Sequence, residues 1–167
     1  MKHLMFKTTG SYAPLPTRVL LATVLFPHGA QKLLGWFGGS FQGTMTYFTE
    51  VVGLPRALGL LIMLIEVIAP IAILLGFATR LWAITLTVLF TGIILAAHSA
   101  YFFMNWFGTQ KGEGMEFFLL AIGMSISLVI SGAGKWSVDQ LLTRNKKSTQ
   151  DRPLPQFIST QKRAVQA

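Results

Sequence analysis

The sequence contains no cysteine among its 167 residues, and only 12% of those residues are charged. Without cysteine, disulfides, thiolate metal sites and thiol redox chemistry are excluded. A soluble domain carries roughly 25% charged residues, so water is not the expected solvent for most of this chain. Among the charged residues the acidic ones are the scarcer, with 6 Asp and Glu against 14 Lys and Arg. The basic residues stand at the ends of apolar runs and in the C-terminal tail, so we expect a lipid bilayer as the partner and no nucleic acid.

Apolar residues, by contrast, make up 52% of the chain and concentrate in four long runs. A helix needs about 20 apolar residues to cross a bilayer, so we predict an all-α fold, an integral membrane four-helix bundle. The helices are expected at about residues 17–37, 57–77, 81–103 and 115–131. The first run is too long for the apolar part of a signal peptide, and no small-residue cleavage site follows it. We therefore interpret it as a retained span.

The predicted helices divide the chain into an N-terminal segment (residues 1–15), a membrane domain (16–134) and a basic tail (135–167). The longest internal connection, residues 38–55, fits an interfacial amphipathic helix and an ordinary surface loop equally well. If there are four spans, one side of the membrane holds most of the flanking basic residues: Lys2, Lys7, Arg18, Arg80, Lys135, Arg144, Lys146 and Lys147. The positive-inside rule then predicts that both termini are cytoplasmic.

A single carboxylate, Glu66, interrupts the second apolar run near its centre. An isolated charge at that depth costs at least ~2.5 kcal/mol, so Glu66 is either protonated or paired. His28 and Lys32 on the first helix are four residues apart and share a helix face. We predict that Glu66 faces the interior of the bundle, within reach of the first helix.

The predicted topology places most of the other polar groups of the spans in the outer half of the membrane, where they would form one pocket opening away from the cytoplasm. The candidate pocket or ligand-binding residues are His28, Lys32, Glu66, His98 and Glu116, with Glu113 beside them. No catalytic residue is assigned and no metal site is expected. The simpler interpretation remains open, because a Lys–Glu pair can serve structure alone and acidic residues at a helix start stabilise its dipole.

Two further patterns concern haem ligation and helix packing. His28 and His98 could ligate a haem, but two histidines on two helices are a weak signal, so haem is not expected. On the fourth helix, Gly123, Ser127 and Ser131 recur at every fourth residue. Such a row of small residues lets another helix pack closely against it.

Short motifs follow one another along the chain in a recognisable order. They are Arg18, His28-Gly29 and Lys32; Glu66; Gly76-x-x-Thr79-Arg80; His98 to Asn105; Gly112-x-x-x-Glu116; and Gly132-Ala133-Gly134-x-x-Ser137-x-Asp139. Over roughly residues 16–142 this order resembles the DoxX family. The resemblance implies a small four-helix protein of the bacterial inner membrane. It also implies, for some members, a link to quinone-dependent oxidation or to oxidative-stress systems.

Three functions follow as hypotheses. The first is a redox-associated subunit that binds a quinone or a similar small apolar molecule in the pocket and has a membrane redox protein as its partner. The alternative is a non-catalytic anchor or partner subunit, or a homo-oligomer, consistent with the small-residue row and the basic tail. A small transporter ranks lowest, because the chain has no inverted repeat and only one charge near the midplane. Whether the protein is an enzyme stays open.

Overall fold

The computed structural model describes Phe6 and residues 8–143. Lys2, Lys7 and the tail from residue 144 onward, which contribute to the predicted orientation, lie outside the described residues. The described part is helical and contains no strand, as the all-α prediction requires. Its helices are α1 (Pro14–Leu34), α2 (Phe41–Thr46, continued by a π-helical turn Tyr47–Val51), α3 (Arg56–Leu75), α4 (Thr79–Ile93, continued by a π-helical turn Ile94–His98), α5 (Glu116–Ser131) and α6 (138–143).

Two of these segments are long and apolar enough to cross a membrane: α3 and the continuous helix Thr79–His98, each of 20 residues. The apolar helix α5 is shorter. The helix α1 begins at Pro14, before the expected start, because a proline in the first helical turn has no N–H to lose. It ends where Gly35 takes a left-handed conformation with φ of 74°.

The helix expected at about residues 81–103 corresponds to α4 and its π-helical turn, which end at His98. The reason lies in the residues that follow, which close a separate loop of residues 99–115 onto the start of α5. In that loop the carbonyl oxygens of Tyr101 and Phe102 accept hydrogen bonds from the N–H groups of Met115 and Glu116. These donors begin a helix and would otherwise lack partners.

The main helices pack around one apolar core. The helices α1 and α3 form one extensive pair, α4 and α5 form the other, and smaller contacts join α3 to α4 and α1 to α5. Their buried core side chains are Leu21, Leu25, Ala69, Ile73, Ala83, Leu86, Phe90, Ala121 and Leu128. The row of small residues on α5 is not part of this core, because Gly123 and Ser127 are exposed. Its role in packing against another chain therefore stays a prediction.

At the end of the molecule where α1 begins, a buried arginine joins three segments. Arg18 is 1% exposed. Its guanidinium group donates to carbonyl oxygens of Ile73 and Leu74 at the end of α3, and to those of Ala133, Lys135 and Trp136 after α5. The last carbonyl groups of a helix have no partner within the helix. Arg18 thus binds carbonyl groups from two segments in one place, and that of Ile73 also accepts from the N–H of Gly76.

A buried carboxylate completes the same end. Asp139 of α6 accepts hydrogen bonds from the backbone N–H groups of Ala78 at 2.7 Å and Thr79 at 3.0 Å. These two residues open α4, where Ala78 has a positive φ of 48°. Burial raises the pKa of Asp139, and the hydrogen bonds from Thr79 and Ala78 oppose that rise. Asp139 acts as the N-terminal cap of a helix sixty residues earlier in the chain.

Candidate functional site

The site is built at a close approach of α1 to α3. Gly29 is buried in α1, and a Cβ atom at residue 29 would overlap the carbonyl group of Glu66. Four residues after Glu66 stands Pro70, also buried, which offers no N–H to that carbonyl oxygen. The glycine therefore removes the side chain that would keep the two backbones apart, and the proline leaves the facing carbonyl group without its usual helical donor.

One turn beyond Gly29, this approach produces an ion pair. The ammonium group of Lys32 lies 2.7 Å from Oε1 and 2.8 Å from Oε2 of Glu66. The Glu66 side chain is 7% exposed and the Lys32 side chain 30%. Glu66 therefore faces the interior, and its partner is Lys32. Since an ammonium group carries three N–H donors, Lys32 keeps one for another acceptor.

A cavity of about 330 Å³ lies beside this ion pair. It brings together four of the five residues predicted for the pocket, namely His28, Lys32, Glu66 and His98, and Glu113 as well. The remaining wall is apolar: Leu25, Leu86, Phe90, Met104, Phe117 and Phe118. The volume lies at the small end of the range of about 300–1,000 Å³ usual for ligand sites. A few polar groups on an apolar wall are also what such sites contain.

His98 enters the cavity from the π-helical turn that ends α4. Such turns are rare and occur frequently at functional sites. Its Nδ1 atom lies 3.0 Å from the carbonyl oxygen of Glu113. Because a carbonyl oxygen only accepts, Nδ1 must carry the hydrogen. In a neutral imidazole the other nitrogen, Nε2, is then a hydrogen-bond acceptor.

Two phenylalanines at the start of α5 hold the histidine rings. The ring of His28 lies 5.5 Å from that of Phe117, and the ring of His98 lies 4.7 Å from that of Phe118, measured between centroids. The Phe118 ring also contacts Phe90, at 5.8 Å. The two aromatic rings fix both imidazoles at the cavity wall.

Glu116, the fifth predicted residue, does not line the cavity. Its Oε1 accepts a hydrogen bond of 3.1 Å from the indole N–H of Trp106 in the 99–115 loop. In the same loop the carboxylate of Glu113 accepts from the N–H of Asn105 at 2.8 Å. The two acidic residues, which are close in sequence, thus fasten the loop over one end of the helices.

A second and larger space adjoins the first. This groove has a volume of about 980 Å³ and runs between α2, α3 and α4. Lys32, His98 and Phe118 line both the cavity and the groove. Sequence reasoning missed this groove, because most of its residues are individually ordinary apolar ones that come from several different helices. It missed Phe117 and Phe118 for the same reason, and Gly29 appeared only as part of a motif.

Among the residues that the structure describes, no three His, Asp or Glu side chains cluster closely enough to hold a metal ion. The groups that line the cavity offer hydrogen bonding and proton exchange. The Lys32 ammonium group is a donor, Nε2 of a neutral His98 is an acceptor, and the aromatic wall beside them is apolar. A flat molecule with oxygen atoms at its edge would match this arrangement.

The fold and the site together define a class of protein. The described part of the chain is helical, has two helices long and apolar enough to cross a membrane, and holds an ion pair between apolar helices, a combination typical of membrane proteins. The family model named DoxX matches residues 13–99, just over half of the chain. The protein belongs to the DoxX family. No solved structure matches it.

Two relatives cover most of the chain. "Putative oxidoreductase CatD" of Bacillus subtilis (strain 168) is 27% identical over 131 residues, which are 78% of this chain and 87% of the relative. "Inner membrane protein YqjF" of Escherichia coli (strain K12) is 31% identical over 138 residues, which are 80% of this chain and 92% of the relative. The family resemblance inferred from the motifs is thereby confirmed.

Proposed function

We propose that this protein is a redox-associated subunit of the cell inner membrane that binds a quinone, or a similar small apolar molecule, in the cavity beside Lys32 and Glu66. The helices α1, α3, α4 and α5 cross the membrane as a four-helix bundle, with both termini in the cytoplasm. The cavity then opens in the outer half of the membrane. A second protein of the membrane supplies or removes the electrons.

The observation that carries this proposal is the ion pair at the cavity wall. The carboxylate of Glu66 neutralises Lys32, so the site favours an uncharged ligand. The third N–H of the ammonium group can donate to a quinone carbonyl oxygen. The Nε2 atom of His98 can accept from the hydroxyl group that replaces a carbonyl group on reduction. A neutral ring with two such oxygens uses both groups, and a hydrocarbon uses neither.

The relatives support the same direction. One carries the word oxidoreductase in its name and the other is named as an inner membrane protein. The α3 and α4 helices have the length and composition of membrane spans. The alternative of a partner subunit without its own ligand rests on the exposed row at Gly123 and Ser127.

Purification from native membranes followed by mass spectrometry of the extracted lipids tests the proposal. We expect a quinone at up to one molecule per chain in the wild-type protein and a loss of at least tenfold in Glu66→Gln. The matched control is Glu50→Gln, since Glu50 is an exposed carboxylate on α2 that lines neither the cavity nor the groove. Equal quinone in all three proteins would contradict a role of Glu66 in binding, and none in the wild type would contradict a quinone site and favour the partner subunit.

A further inference from the structure

We propose that the ligand enters the cavity sideways from the bilayer, and that the groove between α2, α3 and α4 holds its long isoprenoid or alkyl tail. This inference rests on the proposed function, because it takes the ring of the ligand to lie in the cavity. It adds a second subsite and assigns its chemistry. The occupant is therefore an amphiphile with a neutral flat head and an extended apolar tail.

The walls of the groove suit a hydrocarbon chain. On α4 a stripe of small and apolar residues, Ile84, Val88, Gly92 and Ala96, lines it at every fourth residue. Twelve residues of helix correspond to about 18 Å, so the stripe is much longer than a single ring. On and just before α3 the facing residues are also apolar: Leu54, Leu58, Leu61, Ile62 and Ile65. Val88 is 67% exposed, which leaves the groove open along its outer side.

The groove and the cavity join at the place where the ring of the ligand would be attached to its tail. Lys32, His98 and Phe118 line both spaces. A ring that contacts Lys32 and His98 from the cavity side can therefore extend its substituent into the groove without crossing the helix pair α1–α3. The combined shape, a small chamber joined to a long apolar groove, matches one molecule with a ring and a tail.

The fold keeps the groove open. The helix α2 packs on α3 at Gly59, where a Cβ atom would lie 3.1 Å from the ring of Phe48 and 3.2 Å from the sulfur of Met45. This packing fixes α2 over α3. Gly92 on the opposite wall faces open space, since a Cβ atom added there would have no neighbour within 4 Å. The helix α2 is thus held close to α3, and the space between α2 and α4 stays unfilled beside Gly92.

The charge of the lining residues distinguishes a ligand with a quinone head from a phospholipid. Among the described residues that line the groove, Lys32 is the one charged group, and Glu66 already neutralises it. A phosphodiester is recognised by charge-assisted hydrogen bonds from free cations. The groove offers none among these residues, so an uncharged head is favoured.

The test compares two probes with the same ring in lipid nanodiscs: 2-methyl-1,4-naphthoquinone, which has no tail, and the same ring carrying a four-isoprene tail. Gly92→Phe fills the groove, whereas Gly92→Ala changes the same residue and leaves the groove open. We expect Gly92→Phe to weaken binding of the tailed probe at least tenfold and to leave binding of the tailless probe within twofold of wild type. Gly92→Ala should bind both probes as the wild type does.

The outcomes separate the two proposals. If wild type and Gly92→Phe bind the tailed probe equally and both bind the tailless probe, the groove does not hold the tail and the quinone site stands. If the wild type binds neither probe, the proposed quinone site is contradicted, and the tail-binding groove that rests on it is contradicted as well. A photoreactive tail on the wild-type protein gives an answer that needs no variant. Cross-links of the tail to residues within the range 84–96 support the groove. Cross-links confined to the outer face of α5, at Leu120 or Ile130, overturn it.

Discussion

The backbone of Gly29 lies against the carbonyl group of Glu66, so closely that no other residue fits at position 29 without moving α1. This contact sets the distance between two helices. It also brings Lys32, one turn along α1, into hydrogen-bonding range of the Glu66 carboxylate. The ion pair between Lys32 and Glu66 therefore depends on the absence of a side chain at Gly29.

Gly29→Ala should force α1 and α3 apart. The added methyl group meets backbone atoms that cannot rotate away, and overpacking of this kind costs typically 1–3 kcal/mol. We expect a loss of about that size in the free energy of unfolding, measured by denaturation in mixed micelles. Gly92→Ala is the control, because its Cβ has open space around it. Equal stability of the two variants would show that the helices do not pack at Gly29.

Removing one partner of the Lys32–Glu66 pair should cost more than removing both. Breaking a buried pair costs about 3–5 kcal/mol, whereas replacing both groups by apolar ones is often neutral. Because the Lys32 side chain is 30% exposed, we expect Glu66→Gln to fall at or below the low end of that range.

The double variant Lys32→Met with Glu66→Leu should recover most of the lost stability and still fail to bind a quinone. Unfolding in micelles and quinone content, measured on the same preparations, check both statements. A stable double variant that retains quinone would reduce the pair to a structural element. Instability in the double variant as large as in the single one would mean that the two charges do not interact.

His98 should favour the reduced form of the ligand. Its Nδ1–H is used by the carbonyl group of Glu113, so a neutral ring offers Nε2 as an acceptor for a hydroxyl group. A net hydrogen bond is worth about 1 kcal/mol, or roughly a fivefold change in affinity. We expect His98→Ala to weaken hydroquinone binding about fivefold more than quinone binding, as measured by titration under reducing and oxidising conditions. Equal losses for the two forms would argue for a purely steric role.

Asp139→Asn should destabilise the fold although the side chain keeps its size. The carboxylate accepts from two backbone N–H groups, those of Ala78 and Thr79. The amide has one oxygen, so its NH₂ group must face one of these donors and leave a buried polar group unsatisfied, at a cost of about 1–3 kcal/mol. Thermal unfolding in detergent measures the loss. Gln140→Glu, a change of similar size on the same helix, should have a smaller effect.

The orientation can be tested directly because the chain has no cysteine, so each introduced thiol is unique. We expect Lys111→Cys, in the exposed 99–115 loop, to react with a membrane-impermeant maleimide applied to intact cells. Leu142→Cys, in the exposed part of α6, should react only after the membrane is opened. The reverse pattern, or labelling of both residues from outside, would exclude four spans with cytoplasmic termini.

The sequence predicts the features that obey simple periodic or energetic rules. A carboxylate in a long apolar run must have a partner, and helix spacing limited the candidates to His28 and Lys32. The approach of His98 to the same cavity followed from counting residues along antiparallel helices. In contrast, the acceptors of Arg18 and the donors to Asp139 are backbone groups, which no residue pattern reveals. The π-helical turn that carries His98 and the contact of Glu116 with Trp106 depend on local backbone geometry, so the sequence did not predict them either.

Arg18 has a consequence for the order of assembly. Its acceptors Ala133 and Trp136 stand more than a hundred residues later in the chain. During synthesis α1 is therefore made long before these acceptors, and the guanidinium group lacks them until the segment after α5 has been made. A chain that stops before residue 133 would leave this guanidinium group without those acceptors. The helix ends that Arg18 joins can therefore come together only late, after almost all of the described chain has been made.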